Sequence, residues 1–285
     1  MSKITSYTRP AGAKEAVGVL ARFKGRAVIF GGGTGLVKSL PSGVTAVADL
    51  KYAGLSYIKR DSKFLTIGAC TTFTDLLQSP VIRNWAGGLV YEAAYRISSH
   101  LIRNMGTLGG NMVRPYPFNH FPVVLAALNA SAVVARPGKT ETVPVEKLFE
   151  KPYAEELGRK WVLVEFKIPA GTEKFSGVFD KVAKTESSWE NIMLCAAVLE
   201  HKGGVCRSLR VALGAAVAKA TVLPAAEAVL AGKKITAELA CEAGGKAAAQ
   251  AGQFNSLSAP AQYKKEIAPV VIRRCILAAA GQGAR

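Results

Sequence analysis

An α+β fold in two parts is what this chain predicts, and three observations carry it. Short apolar runs bounded by glycine alternate with helical stripes through the first 170 residues. A block of strand-like segments follows, and the tail is Ala-rich and helical. The 285 residues are 49% hydrophobic, enough to bury a sizeable core without disulfides or metals. At about 100–200 residues per domain they make two domains.

The elements follow in order. Ala16, Val17, Val19, Leu20 and Phe23 form one stripe over 13–23, an amphipathic helix. Ala27-Val28-Ile29-Phe30, bounded by glycines, reads as a buried strand, and 44–50, 56–59 and 64–67 as further short strands. Thr72 and Asp75 make a capping box, so a helix begins there. Residues 89–103 are helical in one or two pieces, and 121–128 form a short helix. Segments 131–136 and 140–143 pair around Pro137-Gly138, and 161–168 alternates as a half-buried strand does. Pro169-Ala170-Gly171 punctuates the chain and marks the expected boundary between residues 1–170 and 171–285. Beyond it, 177–183, 192–199 and 206–213 read as strands, with a turn at Lys202-Gly203-Gly204. Helical patterns cover 224–231, 236–251 and 261–280.

Composition removes several function classes. Cys70, Cys195, Cys206, Cys241 and Cys275 include no CxxC spacing, which argues against a zinc ribbon, an iron–sulfur cluster or a secreted disulfide framework. No metal site is expected. No run reaches the ~18–20 apolar residues of a membrane span. Residues 1–10 lack the apolar core of a secretory leader, so the expected location is the cytoplasm. With 37 Lys and Arg against 20 Asp and Glu, the net charge is +17. That balance points to an anionic partner. The cations are scattered without a basic–aromatic ladder, so solvated surface charge explains most of the excess and nucleic acid is not the expected partner.

Two glycine clusters carry the chemistry. Gly31-Gly32-Gly33-Thr34-Gly35 directly follows a strand. Glycines let a backbone approach a ligand and turn its N–H groups inward, a nest suited to pyrophosphate, with the Thr34 hydroxyl as an added donor. The spacing is neither GxGxxG nor a Walker motif, and a plain flexible turn has the same composition. The second cluster is Gly106-Thr107-Leu108-Gly109-Gly110-Asn111. Two such nests clamp the phosphates of a dinucleotide from opposite sides; the bland reading is two unrelated turns.

The stretch 102–111, Ile-Arg-Asn-Met-Gly-Thr-Leu-Gly-Gly-Asn, resembles the IRNxGTIGGN loop of the FAD-binding (medium) subunits of molybdenum hydroxylases, the carbon monoxide dehydrogenase and xanthine dehydrogenase type. Gly31–Leu36 is similar to that family's AGGTDL loop. Residues 7–20, 179–184, 209–214, 227–232 and 258–263 continue the likeness, which spans nearly the whole chain. The resemblance implies a vanillyl-alcohol-oxidase (PCMH)-type two-part FAD-binding domain, with subdomains over about 1–55 and 56–170, followed by a small α+β C-terminal domain over 171–285.

It also implies a set of FAD contacts. Ile29, Phe30, Gly31, Gly32, Gly33, Thr34, Gly35 and Leu36 belong to the first loop, and Thr107, Leu108, Gly109, Gly110 and Asn111 to the second, with main-chain N–H groups holding the pyrophosphate. Ile97 lies against the cofactor, Leu163 on its adenine side and Lys181 near the flavin. His120 stands where relatives carry a ribose-binding Asp, Gly35 replaces a common Asp or Ser, and Arg114-Pro115-Tyr116 makes the second loop bulkier. No residue of the chain is expected to be catalytic in its own right, because the flavin carries the redox chemistry. The implied partners are a [2Fe-2S] subunit that donates electrons and a molybdenum-cofactor subunit that supplies them.

Two rivals stand beside this reading: a self-contained flavin oxidase or reductase of the same superfamily, and a basic scaffold or nucleic-acid-binding protein that has lost FAD. His100 and His201 have no ligand-spaced neighbours and read as surface or capping groups. Trp189 reads equally as a flavin cover, an interface residue or a core residue.

Overall fold

The computed structural model describes residues 4–113 and 117–282, so the Arg114-Pro115-Tyr116 expectation lies outside the described residues. The chain opens with β1 (Ser6–Thr8), α1 (Ala13–Arg22), β2 (Ala27–Phe30), β3 (Ala46–Asp49), β4 (Ile58–Arg60) and β5 (Phe64–Gly68). Six short helices follow: α2 (Phe73–Gln78), α3 (Pro80–Asn84), α4 (Leu89–Tyr95), α5 (His100–Met105), α6 (Leu108–Val113) and α7 (Phe121–Ala127). Then come β6 (Ser131–Arg136), β7 (Lys139–Pro144), α8 (Tyr153–Glu156) and β8 (Val162–Pro169). The last stretch holds β9 (Ser176–Ala183), β10 (Asn191–Lys202), β11 (Val205–Gly214), β12 (Thr221–Val222), α9 (Pro224–Leu230), α10 (Ala237–Gln250) and α11 (Ala261–Ala279).

These elements divide into two compact units. One comprises Met1–Leu76, Ser99–Arg114 and Ala130–Ala170; the other comprises Leu77–Ser98, Pro115–Asn129 and Gly171–Arg285. The chain therefore enters the second unit twice before residue 171.

The first unit holds two sheets. β1, β3 and β2 form a three-stranded parallel sheet with β3 central, and β4-β5-β8-β6-β7 form an antiparallel one. The apolar stripe of α1 buries Ala16, Val17 and Leu20 in a cluster with Ala27 and Ala46 of the parallel sheet and Ala135 and Val162 of the antiparallel one. One helix thus joins both sheets, which is why its stripe is legible and its other face polar. The capping box is present: Asp75 N–H donates to Thr72 Oγ1 at 3.1 Å and Thr72 N–H to Asp75 Oδ2 at 2.9 Å. The strand expected over 44–50 shortens to β3, and Asp49 turns the chain by accepting the Lys51 N–H at 3.0 Å.

The second unit is built on the antiparallel sheet β12-β11-β10-β9. Nine consecutive residues from Asn191 are buried, the mark of a strand covered on both faces. α9, α10 and α11 cover one face through Met193, Cys195, Val211, Ala243, Ile272 and Cys275. α7 covers the other, where Gly214 leaves the space that Val123 fills: a Cβ there stands 2.4 Å from Val123 Cγ2. Lys264 of α11 is fully buried. Its ammonium donates to Asn255 Oδ1 at 2.8 Å, to Ala215 O at 3.3 Å and to Leu257 O, and burial lowers its pKa.

Two helical expectations resolve into finer structure. Residues 89–103 form two helices, α4 and α5, because Ser98 turns left-handed at φ 37° and Ser99 Oγ then caps α5 by accepting the Ile102 N–H at 3.4 Å. The glycine stretch 106–111 is not a loop throughout, since α6 begins at Leu108 inside it. Among the described residues no helix is long and apolar enough to cross a membrane.

Candidate functional site

All three strands of the parallel sheet end at one edge. The register sets Thr8 beside Ala48 and Phe30 beside Asp49, so the segments after β1, β3 and β2 leave the sheet side by side. Ligands of open sheets with parallel strands bind at this carboxyl edge.

Gly31–Leu36 leaves β2 here. Gly33 adopts φ +71°, a conformation that disfavours side chains, and the Val37 N–H closes the turn onto Gly33 O at 3.1 Å. No main-chain N–H from Gly31 through Leu36 has an acceptor among the described residues, and all six residues but Gly35 are half-buried. N–H groups without a protein acceptor are open to an anion, which accepts from them at little cost. Successive N–H groups of this kind form an anion nest. The residues present therefore fit a pyrophosphate, and Thr34 adds a hydroxyl within the same turn.

The two glycine clusters meet. A Cβ at Gly32 would stand 1.5 Å from Met105 O, and one at Gly31 would stand 2.9 Å from Thr107 Oγ1. The glycines of the first loop thus allow its contact with the end of α5 and with Thr107. The second cluster has its own partners. The N–H groups of Leu108 and Gly109 donate to Thr71 O at 2.9 Å and Ala69 O at 2.8 Å. Those of Gly110 and Asn111 donate to Thr107 Oγ1 at 3.1 Å and Thr107 O at 3.0 Å. Each of these four N–H groups thus has a protein acceptor in the same unit, two of them on residues 69 and 71 and two on Thr107. Gly109 lets α6 lie on Ala69, whose carbonyl oxygen would be 2.7 Å from a Cβ. The second cluster buttresses the first loop. This division of labour had no signal in the sequence, because it depends on where two distant segments touch.

Ile29 and Phe30 end β2, and Leu163 is buried on β8 opposite Val134 in the same unit. The other three expected contacts belong to the second unit. Ile97 follows α4 and is buried. His120 is buried with Nδ1 2.9 Å from Ala93 O and its ring 5.0 Å from that of Phe179. A carbonyl only accepts, so Nδ1 carries the proton and Nε2 is the position left for a further partner. Lys181 is buried too. Its ammonium donates to Glu186 O at 2.8 Å, Ser188 O at 2.9 Å and Arg96 O at 3.4 Å. Burial lowers its pKa, with a smaller rise from Glu186. The group expected at the flavin therefore ties the turn between β9 and β10 to the end of α4, the residue before Ile97. A depression of about 260 Å³ lined by Lys181, Ala183, Lys184, Thr185 and Glu186 adjoins it. Trp189 is 60% exposed and edge-on to Phe118 at 5.6 Å, which removes the core reading.

Comparison with known proteins bears on the same residues. Residues 2–171 match the family described as "FAD binding domain in molybdopterin dehydrogenase", and 181–279 match "CO dehydrogenase flavoprotein C-terminal domain". The chain is 27% identical over 277 residues to the carbon monoxide dehydrogenase medium chain of Hydrogenophaga pseudoflava, covering 96% of each. It is 26% identical over 281 residues to the nicotine 6-hydroxylase medium subunit of Paenarthrobacter nicotinovorans, again covering 96% of each. Its fold superposes on a solved carbon monoxide dehydrogenase from Hydrogenophaga pseudoflava, lacking the Mo-pyranopterin moiety, with TM-score 0.91 and 28% identity over the full length of both chains. The two-part fold expected from the resemblance is the fold observed. The chain belongs to the FAD-binding flavoprotein subunits of the molybdopterin dehydrogenase family, and its cofactor is FAD.

Proposed function

We propose that this chain is the FAD-carrying electron-transfer subunit of a molybdenum hydroxylase-type dehydrogenase. In this reading it takes electrons from a [2Fe-2S] subunit, supplied in turn by a molybdenum-cofactor subunit, and passes them to an external acceptor. One observation carries the reading: six successive N–H groups without acceptors among the described residues, on a loop rich in glycine, in a chain similar end to end to such subunits.

When bound, FAD supplies a centre that exchanges electrons singly with a cluster and in pairs with a soluble acceptor. The protein binds and orients it. The N–H groups of Gly31 to Leu36 and the Thr34 hydroxyl hold the pyrophosphate, with Met105 and Thr107 fixing that loop from behind. Leu163 offers an apolar wall for the adenine end. Ile97 packs against the ring system. Lys181 holds the backbone that carries Ile97, and His120 offers Nε2 to a hydroxyl. We assign 1–170 to the FAD-binding domain and 171–285 to the C-terminal domain, and place the protein in the cytoplasm.

Anaerobic mixing tests the reading. The FAD-loaded chain is combined with the chemically reduced [2Fe-2S] subunit of its complex, and the flavin absorbance is expected to bleach within the mixing experiment. The same chain alone, given the substrate of the molybdenum subunit, is expected not to bleach. Full-rate substrate oxidation by the isolated chain overturns the subunit assignment in favour of a self-contained enzyme.

A further inference from the structure

The carboxyl edge of the parallel sheet carries a second built feature besides the glycine loop. After β1, the Arg9 guanidinium lies 5.6 Å from the centre of the Tyr7 ring and 5.4 Å from that of Tyr52. After β3, the Lys51 ammonium lies 5.6 Å from the same Tyr52 ring. Asp49 organises the group from beneath. It is only 3% exposed, accepts the Tyr7 hydroxyl at 2.5 Å and the Lys51 N–H at 3.0 Å, and stands 3.7 Å from Arg9 Nε. Yet Tyr7 is 54% exposed, Tyr52 60% and the Arg9 side chain 55%.

Such a cluster contributes little to the core and is held in one arrangement all the same. Exposed Arg and Tyr normally lose rotamer freedom when a partner binds. Here that ordering is already in place, in the residue types that dominate binding at protein interfaces. The register places the cluster beside Asp49, and hence at the strand end from which Gly31 departs.

We propose that Tyr7, Arg9, Lys51 and Tyr52 form the docking surface for an acidic protein partner, the electron-donating subunit; this rests on the electron-transfer reading above. The charge selects the partner. Two cations face outward, while the buried Asp49 carboxylate behind Arg9 repels a phosphate dianion more than a singly charged side-chain carboxylate. Two cations also make too small a footprint for a nucleic-acid backbone, which takes a stripe of phosphate contacts. The tyrosine faces bury the apolar stems around the carboxylates. Docking here sets a donor at the sheet edge that carries the cofactor loop.

The test compares wild-type chain with Arg9→Glu, Tyr52→Ala and, as an equal charge change elsewhere, Lys202→Glu on the second unit. Affinity for the purified [2Fe-2S] subunit is measured at low and high salt, together with FAD content and the melting temperature of each variant. Arg9→Glu and Tyr52→Ala are expected to weaken association by about tenfold or more, with FAD content unchanged and melting unchanged in Tyr52→Ala. Arg9→Glu should also flatten the salt dependence, and Lys202→Glu should change affinity less than about twofold. Unchanged affinity in the first two variants overturns the proposal, as does equal weakening by Lys202→Glu. Loss of FAD in Arg9→Glu assigns the cluster to the cofactor instead. A wild-type chain without affinity for the subunit overturns the electron-transfer reading itself.

Discussion

Burial sets the acid–base behaviour of His120. Desolvation pushes its pKa down from 6.5 to about 4; the Ala93 carbonyl opposes this, and the charges of Lys181 and Arg96 reinforce it. The ring is therefore neutral in the folded chain at neutral pH. The unfolded chain takes up a proton below about 6.5, and the folded chain does not until about 4. Stability due to this group is present above the unfolded value and is lost as pH falls, by up to about 1.4 kcal/mol per pH unit across that window. His120→Asn keeps an N–H donor at the position of Nδ1 but does not titrate. Urea unfolding at a series of pH values should give a shallower fall in stability for His120→Asn than for wild type. Identical slopes would sink the assignment of a buried neutral ring. At this scale the sequence showed a histidine where relatives carry a ribose-binding carboxylate, but nothing local revealed that Ala93 takes one of its ring nitrogens.

Helices α10 and α11 show what an element reads from its sequence and what it does not. Their Ala-rich periodicity placed both correctly, and Pro269 lies inside α11 without ending it. The capping box at Thr72 was equally legible, since both of its hydrogen bonds are local. Contacts between elements were not. Gly244 and Gly245 are adjacent and indistinguishable by pattern, but a Cβ at Gly244 would stand 2.5 Å from Pro269 O, whereas one at Gly245 meets nothing within 4 Å. Gly244→Ala should force the two helices apart and lower stability by about 1–3 kcal/mol. Gly245→Ala should raise it by about 0.5–1 kcal/mol, because alanine loses less backbone freedom in a helix. Urea unfolding of the two variants checks this, and destabilisation of similar size in both contradicts the close helix approach. The same limit applies to the second glycine cluster: its composition showed the glycines, but not that the N–H groups of Leu108 and Gly109 reach Thr71 O and Ala69 O of a distant loop.

For the whole molecule, strand and helix order followed from periodicity and turn residues, and the resemblance carried fold and cofactor over the full length. The path of the chain was not legible: Leu77–Ser98 and Pro115–Asn129 join the second unit through long-range packing that no local pattern records. Charge, by contrast, is a property of the entire sequence, and its consequence is testable without any site. Thirty-seven basic residues against 20 acidic ones leave +17, and a like-charged surface repels itself most when the chain is compact. Salt shortens the screening length from about 30 Å at 0.01 M to about 3 Å at 1 M. It also weakens the exposed ion pairs, such as Lys151–Glu155 and Lys246–Glu242, but pairs of that kind contribute only about 0–1 kcal/mol each. Relief of repulsion should therefore win, and sodium chloride should raise the melting temperature of the isolated chain. A gain of about 1 kcal/mol corresponds to a rise of about 2–4 °C for a chain near this size. The same screening should weaken association with an acidic partner. Salt then acts with opposite sign on the two equilibria, because the partner's negative surface replaces the counterions in relieving the excess. Thermal melts of the chain alone and in complex, across that range of salt, separate the effects. A melting temperature that stays flat or falls with salt in the isolated chain would show that the cations are already balanced locally, and would leave net charge without a role in assembly.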